Sequence, residues 1–146
     1  MIELLVVSLV LIALTVLIHA FGTLFLMRRL IRDWKTKWKK APIWRQQILL
    51  VRIVCELFFL HLVEAAVWAV FYCRSGALAN FHIAMYFSVC SYTTVGYGDV
   101  VLTDRWKLLG GFESCIGVLM LGWSTGIIIA FIARQFDEHF HPRQGI

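Results

Sequence analysis

Three stretches of the chain are almost unbroken runs of apolar residues, and the polar intervals between them predict its elements. Residues 4–27 are apolar apart from Ser8, Thr15, His19 and Thr23. A helix of that length reaches across about 30 Å of hydrocarbon. A cleaved secretory leader fits poorly, because the basic residues follow the apolar run instead of preceding it and the run is too long. His19 inside such a helix is expected to be neutral and bonded to a neighbouring helix or to backbone, with a proton-sensitive group as the alternative. The second stretch, 48–72, carries Arg52 and Glu56 at i,i+4 spacing near one end and His61 and Glu64 deeper in. The third, 106–133, is punctuated by Gly110, Gly111, Gly117, Gly122 and Gly126; Gly122, Gly126 and Ala130 share one stripe, where helices can approach closely or leave a water-filled cavity. Between the second and third stretches, residues 79–92 predict a short, aromatic-rich helix that cannot span. A re-entrant segment of this kind is permitted only where it is buried in protein or faces water. The fold class is therefore an all-α membrane protein with three transmembrane helices and a re-entrant hairpin.

The polar intervals set the expected topology. Arg28, Arg29, Arg32, Lys35, Lys37, Lys39, Lys40 and Arg45 face the single acid Asp33, an asymmetry that marks the cytoplasmic side. Within this interval Met27, Leu30, Ile31, Trp34 and Trp38 recur at helical spacing. Residues 28–47 are thus expected to form an amphipathic interfacial segment, with anionic lipid as partner of the basic stretch 28–45. Pro42 suits the first turn of the next helix. The tail, 135–146, is polar; His139 and His141 lack a third ligand nearby and are expected to be solvated. Two spans and a hairpin separate the basic segment from the tail, which puts both on the cytoplasmic side and the amino terminus outside.

Composition agrees with a bilayer. The chain is 60% hydrophobic, with a mean hydropathy of +0.78. Its formal charge of +5 does not point to nucleic acid, because the basic residues cluster beside apolar spans. Cys55, Cys73, Cys90 and Cys115 have no C-x-x-C spacing and are expected to be small apolar residues instead of a disulfide or metal framework. No nucleophile, base and orienting group sit together, so no enzyme is expected, and no cofactor.

The chemistry concentrates in Thr93-Thr94-Val95-Gly96-Tyr97-Gly98-Asp99. Glycines at alternate positions let the backbone alternate between right- and left-handed conformations, because only glycine enters the left-handed region freely. Successive carbonyls then point the same way, whereas in an ordinary strand they alternate sides. Four copies around an axis would form stacked oxygen cages able to replace the hydration shell of a small monovalent cation. The run resembles the potassium-channel filter signature TVGYG, including the preceding Thr and the following Asp. The resemblance implies a two-helix pore module over 48–134, preceded by an extra helix over 1–27, and a homotetrameric potassium-selective channel in the plasma membrane, or the inner membrane of a bacterium.

By that resemblance the transported K+ is bound by Thr94, Val95, Gly96, Tyr97 and Gly98, with Thr93, Asp99 and Tyr86 as filter support. Many potassium channels hold the filter Asp with a pore-helix tryptophan or a buried glutamate. Here Tyr86 is the pore-helix residue whose hydroxyl could reach Asp99. Gly117, Gly122 and Gly126 are candidates for a hinge or the cavity wall of the inner helix. Glu113 points away from the pore if Gly122 faces it, at a depth similar to that of Glu64. With His61 these form a candidate polar brace for the pore helix or a pH-sensitive cluster, with Ser88 or Ser91 as partners. No arginine ladder for voltage sensing occurs, and the short tail leaves no room for a gating domain. The alternatives to a potassium channel are a non-conducting regulatory or scaffold subunit and a non-selective cation channel.

Overall fold

The computed structural model describes residues 1–33 and 42–140. Four helices make up its regular structure: α1 (Ile2–Asp33), α2 (Ile43–Arg74), α3 (Phe81–Tyr92) and α4 (Lys107–Phe140). Two of them, over Ile2–Arg32 and Lys107–Asp137, are long and apolar enough to cross a membrane. Helix α2 matches α1 in length at 32 residues, but it carries Arg52, Glu56 and Glu64 among its apolar residues.

The boundaries depart from the expected ones where polar residues follow apolar runs. α1 does not stop at residue 27; it continues through Asp33, so Arg28, Arg29 and Arg32 lie on its last turns instead of on a separate interfacial element. Nothing in this stretch breaks a helix, and arginine is a good helix former that also suits the negative end of the dipole. The continuation of the expected amphipathic segment, including Trp34 and Trp38, lies outside the described residues, as does His141. Pro42 is the N-cap of α2, not its first helical residue; its ψ of 152° is extended. α4 likewise passes the expected end at 133 and runs to Phe140.

α2 and α4 both pack on the short α3, and α1 packs along α2 and α4. At one end, Leu11, Trp68, Tyr72, Tyr92, Leu109, Ile116 and Met120 belong to one apolar core. At the other, Leu26, Leu49, Ile53, Leu57 and Phe131 form a second. Buried polar residues separate the two on all three long helices: His19 on α1, Glu64 on α2 and Ser124 on α4. Close approach is built in with glycine. A Cβ on Gly22 would meet the Leu60 side chain, and one on Gly117 would collide with the Tyr92 main-chain carbonyl.

Candidate functional site

α3 is started by Asn80, whose side chain accepts from the Ile83 N–H at 3.0 Å. It ends at Tyr92, where the chain turns back: the Thr93 hydroxyl donates to the Val89 carbonyl at 2.7 Å, and the amides of Thr94 and Gly96 donate to the carbonyls of Ser91 (3.0 Å) and Cys90 (3.2 Å). These bonds cap the last carbonyls of α3 and tie the returning segment to it.

In that segment φ is positive at Thr94 (62°), Gly96 (54°) and Gly98 (77°). The left-handed alternation expected from two glycines therefore has three members. Thr94 went unnoticed in the sequence because a β-branched residue is strained there, at a cost of about 1–3 kcal/mol. Alternation of this kind can align successive carbonyls on one side. Residues 93–99 are exposed in the single chain, and Val95 and Tyr97 remain 52% and 73% exposed despite their apolar bulk.

The segment leaves through Asp99. The Tyr86 hydroxyl donates to Asp99 Oδ2 at 2.8 Å, which is the contact expected from the sequence, and Asp99 Oδ1 accepts from the Val100 amide at 3.1 Å. Beyond it, Arg105 Nη2 reaches both carboxylate oxygens of Glu3 at 2.6 and 2.7 Å, joining the start of α1 to the loop that follows residue 99. Where that loop meets α4, Lys107 Nζ, 2.5 Å from Asp104, holds that carboxyl below the usual carboxylate range through a hydrogen bond and its charge.

Behind α3 lie two buried carboxylates, and they do not form the single His61, Glu64 and Glu113 cluster expected from the sequence. Glu113 accepts from the Tyr72 hydroxyl at 2.7 Å and from Ser88 Oγ, which also reaches the Ala65 carbonyl at 2.6 Å. Ser88 is a partner as expected; Ser91 instead offers its carbonyl to the Ser114 hydroxyl at 2.7 Å. Glu64 has a different set. His19 Nδ1 lies 2.8 Å from Oε1, His61 Nδ1 lies 3.3 Å from Oε2, and the Tyr92 hydroxyl donates to Oε2. His61 also reaches Tyr92 (3.0 Å) and Ser124 (2.9 Å). The similar depth expected for the two carboxylates agrees with these contacts, since Ser88, which binds Glu113, also reaches the carbonyl of Ala65, the residue next to Glu64.

Tyr72 and Tyr92 gave no sign of these roles in the sequence, since an aromatic residue in an apolar run reads as core. His19 does meet a neighbouring helix, through Glu64. The candidate ligand atoms of His19, His61 and Glu64 lie within 4.8 Å of one another, but hydrogen bonds already join each histidine to the carboxylate. Among the described residues, His19 Nε2 is the buried side-chain polar atom left without a partner.

The glycines of α4 divide. Gly117 is taken up by the close approach of Tyr92, so it is a packing position and does not line an open cavity, whereas a Cβ on Gly122 or Gly126 would meet nothing within 4 Å. Those two therefore lie on the open side of α4, opposite to buried Glu113. All four cysteines are free.

A family model described as "Ion channel" matches residues 58–134, from the second half of α2 through α3 and the exposed segment to α4. No curated protein and no solved structure matches the chain.

Proposed function

Because this chain belongs to the ion-channel family, a family of channels and not of enzymes, we propose that it forms a potassium-selective pore. The observation that carries this is the run of left-handed residues at Thr94, Gly96 and Gly98 within Thr93–Asp99. The carbonyls of Thr94, Val95, Gly96, Tyr97 and Gly98 and the Thr94 hydroxyl supply the oxygens that replace the hydration shell of K+. Thr93 ties the start of the run to α3, and the Tyr86–Asp99 bond braces its exit. α3 directs its carboxyl end, where the dipole is negative, toward the ion path.

One chain contributes one wall. The exposure of Val95 and Tyr97 and the open side of α4 at Gly122 and Gly126 suit a homotetramer with the segment on its axis. α1, α2 and α4 are its three spans in a plasma membrane, with the amino terminus and residues 99–106 outside. Arg28, Arg29 and Arg32 then meet anionic lipid on the cytoplasmic face, where Glu56 also receives Arg52 at 2.7 Å.

Purified protein in liposomes with opposed K+ and Na+ gradients tests this. Flux that strongly prefers K+ supports the proposal. Equal fluxes make it a non-selective channel, and no flux of either ion makes it a non-conducting subunit. A monomeric or dimeric mass in mild detergent with selective flux retained would overturn the tetramer.

A further inference from the structure

We propose that the N-terminal helix is a positioning element for the filter, acting through His19. The inference rests on the reading of residues 93–99 as that filter. His19 is fully buried and stands outside the matched segment 58–134, yet it is one bond from the machinery within it. Its Nδ1 lies 2.8 Å from Glu64 Oε1. With Glu64 ionised, its carboxylate only accepts, and His19 holds it by donating from Nδ1. The opposite oxygen of Glu64 accepts the Tyr92 hydroxyl. Tyr92 is the last residue of α3 and comes two residues before Thr94, where the left-handed alternation begins.

Tyr92 is held at both ends. Its hydroxyl is fixed by Glu64 and lies 3.0 Å from His61; its main-chain carbonyl occupies the space that a side chain on Gly117 would need. The turn that starts the filter follows this residue directly and is bonded to the two residues before it, the Thr94 and Gly96 amides donating to the carbonyls of Ser91 and Cys90. Any change that lets Tyr92 swing loosens those bonds next.

His19 prevents the swing by its effect on Glu64. Without the Nδ1 donor, Oε1 is a buried acceptor with no partner, and the carboxyl must turn or take up a proton. A protonated Glu64 can donate toward Tyr92, which reverses the present bond. Thr15, which accepts from Trp68 Nε1 at 2.9 Å, and Glu3, paired with Arg105, both hold α1 in register on the N-terminal side of this contact, so the histidine is presented at a fixed height.

The test uses the full chain, and reads hydrogen exchange at the Thr94 and Gly96 amides together with flux. His19→Leu removes the donor. His19→Asn restores one, since the Asn amide nitrogen takes the place of Nδ1; His19→Gln carries its amide to the place of Nε2, away from Glu64. In His19→Leu and His19→Gln, exchange at Thr94 and Gly96 should rise about tenfold or more, the loss expected for a hydrogen bond to a charged group, with residues 81–88 unchanged and the preference for K+ reduced. His19→Asn should stay within about threefold of the parent. Where Leu does not assemble, Gln serves in its place. His19→Leu should also add little once Tyr92→Phe is present. Parental exchange in Leu and Gln, equal exchange in Asn and Leu, or additive effects of His19→Leu and Tyr92→Phe would each overturn the proposal. The parent's flux answers separately: no K+ preference there defeats the filter reading, while the exchange data still decide whether His19 positions this segment.

Discussion

The exposed segment Thr93–Asp99 and the buried layer behind α3 stabilise the same turn by opposite means. In the segment, backbone does the chemistry: positive φ at Thr94, Gly96 and Gly98 and amide bonds back to α3, with side chains such as Tyr97 left exposed. In the layer, side chains carry it. Glu64 and Glu113 are buried, and each is surrounded by hydrogen-bonding groups from other helices. A strained backbone persists only when its surroundings over-determine it, so the polar layer is the counterweight to the strain in front of it.

The comparison breaks most severely at Gly96. The space where its Cβ would stand is open, so the cost of Gly96→Ala is conformational, about 1–2 kcal/mol for the left-handed backbone, and in the proposed pore it falls on the ion path. The expected outcome is loss of K+ conduction or of its preference over Na+, measured by liposome flux, with assembly retained. Unchanged permeability ratios would contradict the assignment.

Glu113 tests the layer. Glu113→Leu leaves the buried Tyr72 hydroxyl without an acceptor, at about 1–3 kcal/mol, while Ser88 keeps the Ala65 carbonyl. Glu113→Gln keeps an acceptor for Tyr72. Leu should therefore lower oligomer yield and melting temperature more than Gln does; equal losses would remove the brace.

Gly117→Ala sets the two regions against each other, because its methyl group collides with the Tyr92 carbonyl. Overpacking of this kind costs about 1–3 kcal/mol, and a melting temperature several degrees lower is expected for Gly117→Ala, with no such fall for Gly122→Ala. Equal melting temperatures in the two variants would show that α3 and α4 can part without penalty.

The smallest effect belongs to Tyr86→Phe. It removes one half-exposed bond to Asp99, worth about 1 kcal/mol. Shorter open times in single-channel records are expected, with assembly unaffected; identical lifetimes would show that the Val100 amide alone suffices to hold Asp99.

The sequence by itself determined what depends on neighbours along the chain. Apolar runs are long because hydrocarbon admits no unpaired polar groups, and they announce α1 and α4 without any partner. Alternating glycines set the left-handed positions 96 and 98, since handedness is a local property, and Tyr86 lies close enough in the chain to make Asp99 its foreseeable partner. Only the tertiary structure decided which polar residue meets which. Glu64 and Glu113 look alike as single acids in apolar helices, but the crossing of α2, α3 and α4 gives Tyr72 to one and Tyr92 and His19 to the other. The same crossing spends Gly117 on contact and leaves Gly122 and Gly126 open. Hydrogen bonds act over about 3 Å, and no pattern along one helix shows which face of another will come within that distance.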